Sequence, residues 1–118
     1  MKRHDWSQIP REQLNADCAR QAIHTERMTV ARLSMRAGAV VPRHSHENEQ
    51  LTMLDKGKLK FIFDDREEII QAGQCLQIPS HVPHRVDALE DSEATDLFAP
   101  VREDWVRGDD AYLRKPTS

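Results

Sequence analysis

Short segments with alternating apolar and polar residues run through this chain, separated by Gly, Pro or Asp at intervals of roughly 8 to 12 residues. In one of them Ala31, Leu33 and Met35 alternate with Arg32 and Ser34, the period of a strand with one buried face. The predicted strands cover residues 27–35, 51–54, 58–63, 67–70, 75–78, 86–89 and 95–98. Many short strands joined by tight turns predict an all-β fold, a small antiparallel barrel or sandwich.

The chain has 118 residues, no internal repeat and no linker that would separate two domains, so a single domain is predicted. Residues 27–104 are expected to form the barrel, after a lead-in and first strand over residues 1–26. Within the lead-in, Pro10 predicts a helical turn over residues 11–14. The polar tail, residues 105–118, is expected either to pack across a partner or to stay loose.

Composition excludes several classes of function. The net charge is −3 and no basic block is present, which argues against a nucleic-acid partner. No apolar run approaches the roughly 18 residues of a membrane span, and the first residues lack the apolar stretch of a secretory signal. Cys18 and Cys75 are not in a CxxC pair, so two free thiols in a reducing cytoplasm are expected. Aromatic residues make up only 5%, and such a lean core favours a dimer.

Three of the six histidines fall at two places, His44 and His46 together and His84 further along. On a strand, residues two apart point to one face, so His44 and His46 can reach the same ion. Gln50 would add a carbonyl oxygen from the next strand, and pairing of non-adjacent strands would bring His84 beside it. By itself, an HxH sequence is equally compatible with surface histidines.

Glycine and proline residues at fixed spacing around these side chains favour the metal site. The two motifs are Gly38-x5-His44-x-His46-x3-Gln50-x6-Gly57 and Gly73-x5-Pro79-x4-His84. They resemble the paired motifs of the cupin family, except that Gln50 replaces the usual Glu, His81 a common Gly, and Ala88 a common Asn. The resemblance implies a small antiparallel jelly-roll β-barrel. It also implies one divalent transition metal ion bound by His44, His46, Gln50 and His84.

The replacement of the usual Glu by Gln50 changes the total charge of the predicted ligands and therefore the chemistry expected of the metal ion. Three neutral imidazoles and a neutral amide contribute no negative charge, so the ion would be a stronger Lewis acid and anion anchor. In cupins, Glu at this position is typical of oxygen-using and manganese enzymes, so its absence favours non-redox chemistry on an anionic substrate. Glu47 and Glu49 are alternative ligands that we expect to face solvent. The ligand types do not decide among Zn, Ni, Fe, Mn and Co.

Asp96 and Phe98 lie two residues apart on the last predicted strand and therefore share a face. If that face is the barrel interior, Asp96 is a candidate acid or base, because a buried unpaired carboxylate is costly to keep. Pro100 ends the strand, after which Arg102 can turn over the mouth and bind a substrate carboxylate. The alternative is that Asp96 and Arg102 form an ion pair that locks the last strand.

The spacing Asp96-x-Phe98-x-Pro100-x-Arg102, together with the metal motif, resembles the KdgF group of cupins from pectin and alginate breakdown, over roughly residues 28–104. The resemblance implies a barrel that is often a homodimer. It implies conversion of 4,5-unsaturated monouronates, small anionic metabolites, into open-chain keto acids. In that reaction Asp96 would be the acid/base, Arg102 the carboxylate binder and Phe98 a pocket wall.

Other functions remain open at this point. Neutral His/Gln sites also resemble those of bacilysin-pathway isomerases and some polyketide cyclases, which would make this a metal-dependent isomerase or cyclase of secondary metabolism. An oxygen-dependent dioxygenase is disfavoured by Gln50. A non-catalytic binder of small molecules is a further alternative. His4, His24 and His81 have no motif around them that predicts a role.

Overall fold

Ten antiparallel strands follow one another in the computed structural model, which describes residues 1–115. The strands are β1 Glu12–Gln13, β2 Cys18–His24, β3 Thr29–Met35, β4 Val40–His44, β5 Glu49–Lys56, β6 Lys58–Ile62, β7 Glu67–Gln71, β8 Cys75–Ile78, β9 His84–Ala88 and β10 Ser92–Ala99. After them comes the helix α1, Glu103–Arg107. Two 3-10 helices, Trp6–Gln8 and Ala111–Arg114, lie near the two ends.

The strands form two sheets. One has six strands in the order β1-β2-β3-β10-β5-β8, and the other has four in the order β4-β9-β6-β7. Most neighbours within the sheets are not consecutive in the chain, as β10 between β3 and β5 illustrates. The predicted all-β fold, a small antiparallel jelly-roll barrel, is confirmed.

The core lies between the two sheets. Apolar side chains alternate with exposed ones and point inward, as Leu54 of β5 and Ile78 of β8 do from the larger sheet. Leu59, Phe61 and Val86 point inward from the smaller sheet. Burial of each such side chain stabilises the folded state by roughly 1.5–3 kcal/mol. The alternation of buried and exposed residues agrees with the period of two in the sequence.

Two residues of the motifs have a left-handed backbone. Gly57 joins β5 to β6 at a φ of 93°, and a Cβ there would collide with Ser92 and with the backbone of Asp91. His81, at the position where cupins commonly have Gly, has a φ of 64°. Its backbone N–H donates to the carbonyl oxygen of His46 at 2.8 Å. Both residues therefore lie where the chain needs a left-handed backbone conformation. Gly adopts this conformation at the lowest energetic cost.

The predicted helical turn over residues 11–14 is wrong. Glu12 and Gln13 form β1, which pairs with Arg20 and Ala19 of β2. The helical turn lies earlier, at Trp6–Gln8, where the side chain of Asp5 caps it. Hydrogen bonding to a neighbouring strand, which the local sequence does not reveal, outweighed the preference of the segment itself.

The tail packs against the chain's own barrel as far as Lys115. Trp105 of α1 is buried against Phe98, with ring centroids 5.2 Å apart. The buried carboxylate of Asp110 accepts a hydrogen bond from Arg20 at 2.7 Å. Residues 116–118, which the predicted tail also includes, lie outside the described residues. This packing brings residues beyond α1 up to the barrel interior.

Candidate metal centre and adjoining cavity

Three histidines converge at the open end of strands β4 and β9. His44 ends β4, His84 begins β9, and the two residues are direct partners in the ladder. His46 follows two residues after β4. One ring nitrogen from each histidine lies within 4.8 Å of the others. The convergence that the sequence motifs predict is therefore present.

The prediction that His44 and His46 share one strand is only half right, because β4 ends at His44. The chain bends after His46, and the bend is held by Asn48, a buried residue that the sequence analysis missed. The Asn48 side chain donates to the carbonyl oxygens of Pro100 at 2.5 Å and Val101 at 3.3 Å. A contact with a distant segment, and not strand alternation, thus aims His46.

Each of the three rings is oriented by a backbone carbonyl. The Nδ1 atoms of His44, His46 and His84 lie 2.8, 3.0 and 2.8 Å from the carbonyl oxygens of Pro42, Asn48 and Val82 respectively. A proton on Nδ1 makes this contact a hydrogen bond and leaves the lone pair of Nε2 free. Such second contacts commonly hold imidazole ligands of metal ions.

Burial keeps these imidazoles neutral. It lowers the pKa of His44 to about 3, with the positive charge of protonated His84 adding to the effect. Burial likewise lowers the pKa of His46 to about 4, and the positive charge of Arg102 contributes. The pKa of His84 is lowered by burial as well. Neutral imidazoles are the form that binds metal ions, so protons compete little at neutral pH.

The surroundings of His46 fit a metal ion. Besides the Asn48 contact, its Nε2 atom lies 3.1 Å from Oε1 of Gln50. A neutral imidazole has a single N–H and cannot donate to both oxygens. The lowered pKa of His46 opposes a second proton, so a metal ion is the cation that fits between Nε2 and Oε1. Two ligand atoms about 2.1 Å from one ion stand about 3.0–3.4 Å apart, in agreement with this distance.

A directed chain of hydrogen bonds orients the amide of Gln50. Its Nε2 donates to Oγ1 of Thr52 at 3.0 Å, and that hydroxyl donates to Oδ1 of Asp96 at 2.6 Å. Because the amide nitrogen is used in this way, the amide oxygen faces His46. The three side chains are all buried. Thr52 thus holds the Gln50 amide so that its oxygen faces the converging histidines.

Asp96 is buried in the barrel interior and forms no ion pair among residues 1–115. Burial raises its pKa to about 6, although the hydrogen bond from Thr52 and the charge of Arg102 lower it in part. The alternative of an Asp96–Arg102 ion pair is therefore not realised. Asp96 and Phe98 were predicted to share one face of the strand, and that face is the barrel interior.

Arg102 is buried and pairs with Asp104 instead. Its Nε and Nη2 atoms donate to the two carboxylate oxygens at 3.0 and 2.7 Å, and Nη2 also donates to the hydroxyl of Tyr112 at 2.8 Å. The guanidinium carbon lies 4.7 Å from the ring centroid of Phe98 and 4.4 Å from that of Trp105. Within residues 1–115, Nη1 has no hydrogen-bond partner. The guanidinium is therefore held in one orientation, and its Nη1 atom is available to bind a ligand.

These groups line one cavity of about 60 Å³ inside the barrel, room for about four to six water molecules. Its polar lining includes His44, Gln50, Thr52, His84, Asp96, Arg102 and Tyr112. The rest is mostly apolar and includes Leu59, Phe61 and Val86. A small cavity lined by histidines, an arginine and a carboxylate can orient an anion and move a proton.

A protein-family model for the cupin domain matches residues 31–99, more than half of the chain. The chain belongs to the cupin family. No curated protein matches the sequence. Among solved structures, KdgF from a Halomonas species is 25% identical, with a TM-score of 0.77 over 84% of this chain and 94% of its own. The similarity to KdgF that the motifs indicated is thereby confirmed at the level of the whole fold.

Two further structures share the fold of this cupin. An RmlC-like cupin from Shewanella frigidimarina NCIMB 400 has a TM-score of 0.80 at 22% identity, over 86% of this chain and 93% of that chain. The oxalate decarboxylase of Bacillus subtilis, a protein with Mn(II) centres, has a TM-score of 0.73 at 19% identity. That match covers 82% of this chain but only 29% of the decarboxylase.

Other residues considered in the sequence lie outside the centre. Glu47 and Glu49 are exposed, as expected, and so are His4 and His81. His24 is exposed on β2 and contacts Thr29.

The helices described within residues 1–115 are all too short or too polar to cross a membrane. Cys18 is buried, Cys75 is exposed, and both are free thiols.

Besides Asn48, three residues that line the cavity were not predicted from the sequence. Thr52 lies two residues after Gln50, so strand alternation could have placed it on the same inner face. Trp105 and Tyr112 follow the barrel in the polar tail, where no periodic pattern predicts their position. Both line the cavity.

Substitution of Thr52 tests its supporting role. Thr52→Val is expected to weaken zinc binding about 10- to 100-fold, because the amide of Gln50 loses the partner that orients it. Thr52→Ser keeps the hydroxyl and is expected to bind zinc nearly as tightly as the wild-type protein. Competition with a coloured chelator measures both. Equal affinities for the Val and wild-type proteins would show that the amide needs no such support.

Proposed function

We propose that this cupin is a metal-dependent, non-redox enzyme that converts 4,5-unsaturated monouronates into linear keto acids. The observation that carries the proposal is Asp96, a buried carboxylate that forms no ion pair within residues 1–115 and lines the same cavity as His44, His84 and Arg102. A buried carboxylate is costly to keep, so one that is retained in a pocket is a candidate for proton transfer. The similarity to KdgF over nearly the full chain supports the substrate class.

One divalent ion would be held by His44, His46, Gln50 and His84, and when bound it would stabilise negative charge on a substrate oxygen. Since none of these ligands carries charge, the ion retains its full attraction for a carboxylate. Zn, Ni, Fe, Mn and Co all suit the proposal, because it requires no change of oxidation state.

The reaction is an isomerisation that needs one group to accept and to return a proton. As the hemiacetal opens, the bond between C1 and the ring oxygen breaks and the C1 hydroxyl loses its proton to form an aldehyde. The ring oxygen is left as an enolate on C5, and C4 then gains a proton, which turns C5 into a ketone. With a pKa of about 6, Asp96 populates both its protonated and its ionised form near neutral pH.

Arg102 would bind the substrate carboxylate through Nη1, since Asp104 and Tyr112 occupy the other side of its guanidinium. Arg102 would thus donate from a single nitrogen atom, whereas an unpaired arginine can donate from two nitrogen atoms to both oxygens of a carboxylate. The ring of Phe98, packed against the guanidinium, would form the wall of the pocket. A carboxylate held at one end fixes the distance between the reacting carbon atoms and Asp96.

The size of the cavity limits how much of the proposed substrate it would hold. A space of about 60 Å³ accepts a carboxylate and its neighbouring carbon atoms but not a whole sugar acid. The remainder of the ring would lie towards the partly exposed side chains of Tyr112 and Leu113, which also line the cavity. We also expect a homodimer and a location in the cytoplasm, and both stay predictions.

Incubation with unsaturated galacturonate and unsaturated mannuronate tests the activity. Metal-loaded protein is expected to accelerate the loss of the ultraviolet absorbance of the conjugated double bond above the spontaneous rate. Protein treated with a chelator serves as the control and is expected to be inactive. Oxygen uptake should be absent throughout. If neither sugar acid reacts faster than it does alone, the proposed activity is wrong, although the barrel and its metal centre would stand.

A further inference from the structure

We infer that Tyr112 is a ligand-binding residue, whose phenolic O–H donates a hydrogen bond to a carboxylate oxygen of the molecule bound in the cavity. The inference rests on the proposed function in one respect, namely that the cavity binds a carboxylate. Tyr112 lies beyond residue 99, where the match to the cupin family ends, so the role would belong to this chain's own C-terminal segment.

Tyr112 reaches the centre of the site from the tail. It belongs to the 3-10 helix Ala111–Arg114 and lines the cavity. The centroid of its ring lies 4.8 Å from that of His44, with the two planes 33° apart. A phenol in this place is next to one of the proposed metal ligands.

The direction of one hydrogen bond leaves the phenolic proton available. Arg102 has only donors, so its Nη2 donates to the phenolic oxygen of Tyr112. The hydroxyl proton therefore points elsewhere, and no acceptor within residues 1–115 receives it. Nη1 of Arg102 is likewise without a partner. Two adjacent side chains thus offer one donor each, which matches the two oxygens of a carboxylate.

The segment that carries Tyr112 is anchored on both sides of it. Asp110 accepts hydrogen bonds from Arg20 at 2.7 Å and from Arg114 at 3.2 Å. The side chain of Asn15 donates to the carbonyl oxygen of Leu113 at 3.4 Å and to that of Lys115 at 2.9 Å. A donor held in place before the ligand arrives loses little entropy on binding. Anchoring of this kind suits a binding residue.

Tyr112 is the one tyrosine of the sequence, so a label on tyrosine reports on this site alone. Full-length protein containing 3-fluorotyrosine and loaded with zinc would be titrated with acetate and, separately, with acetamide, its neutral analogue of similar shape. The fluorine resonance is expected to shift saturably with acetate and to change little with acetamide. A resonance that does not respond to acetate, or responds equally to both molecules, would overturn the inference.

The variant Tyr112→Phe retains the ring beside His44 and removes only the hydroxyl. It is expected to bind acetate roughly 10-fold more weakly than the wild-type protein in calorimetric titrations, with unchanged zinc content. Val106→Ala, on the exposed face of the neighbouring helix, is the matched control and should bind acetate normally. Acetate affinity within twofold of wild type in Tyr112→Phe would also overturn the inference.

These results separate the inference from the proposed function. If Tyr112→Phe binds acetate weakly while the wild-type protein has no activity on either unsaturated uronate, the carboxylate role of Tyr112 stands and the named substrate is wrong. If the uronates react and Tyr112→Phe binds acetate normally, the activity stands and Tyr112 has no part in recognition.

Discussion

Asp96→Asn protein is expected to turn over unsaturated monouronates roughly 100- to 10,000-fold more slowly than the wild-type protein, while it binds the same amount of metal. Asparagine has the size of aspartate and can still accept the hydrogen bond from Thr52, so the orientation of Gln50 is retained. It cannot take up or release a proton in this pH range. Initial rates of absorbance loss and elemental analysis of the same preparation measure the two quantities.

The same substitution is expected to stabilise the metal-free protein at neutral pH. Burial raises the pKa of Asp96 from its ordinary value of 3.8 to about 6, so the folded state favours the protonated form. The wild-type protein therefore loses stability as the pH rises from about 4 to about 6, whereas the Asn variant does not. At pH 7.5 the variant should be more stable by about 2 to 3 kcal/mol, and at pH 3.5 the two should be nearly equal.

Asp87→Asn provides the control for both effects. Asp87 lies on β9 and contacts Arg85 near the surface, so its loss is expected to change neither the rate nor the pH dependence noticeably. Chemical unfolding of chelator-treated protein at the two pH values gives the comparison. If metal-loaded Asp96→Asn protein retains the wild-type rate, Asp96 is not the acid/base. If the Asp96→Asn variant shows no pH-dependent gain in stability, ionisation of Asp96 does not destabilise the wild-type protein.

His84→Ala is expected to abolish stable metal binding. His84 is buried and supplies one of the three imidazoles that converge. Removal of a direct ligand should cost more than the roughly 10- to 100-fold in affinity that accompanies loss of a supporting contact. Since a bound ion stabilises the folded state, zinc should raise the melting temperature of the wild-type protein and leave that of the variant unchanged.

His4→Ala is the matched control, because His4 is exposed and removed from the centre. Elemental analysis after reconstitution and dialysis should find one ion per chain in the wild-type and His4→Ala proteins and close to none in His84→Ala. Equal metal content in all three proteins would mean that the converging histidines are not the ligands. An absence of bound metal from the wild-type protein would remove the metal centre itself.

Local patterns in the sequence were sufficient to predict the barrel and the convergence of the three histidines. Alternation of apolar residues, as in Ala31, Leu33 and Met35, reports directly on which side chains face the interior. The glycine at position 57 marks a turn that no other residue could make without a collision. These features act over a few residues at a time, so they can be read without knowledge of the rest of the chain.

Contacts between distant segments determined how the site is completed. Asn48 aims His46 through the backbone of Pro100 and Val101, and Arg102 pairs with Asp104 and not with Asp96. Tyr112 enters the cavity because the tail packs against its own barrel. Such contacts join residues that no periodicity relates, and their choice depends on which partners the folded chain brings within hydrogen-bonding distance. The convergence of the three histidines could therefore be predicted from the sequence, whereas the groups that orient, support and surround them became defined only in three dimensions.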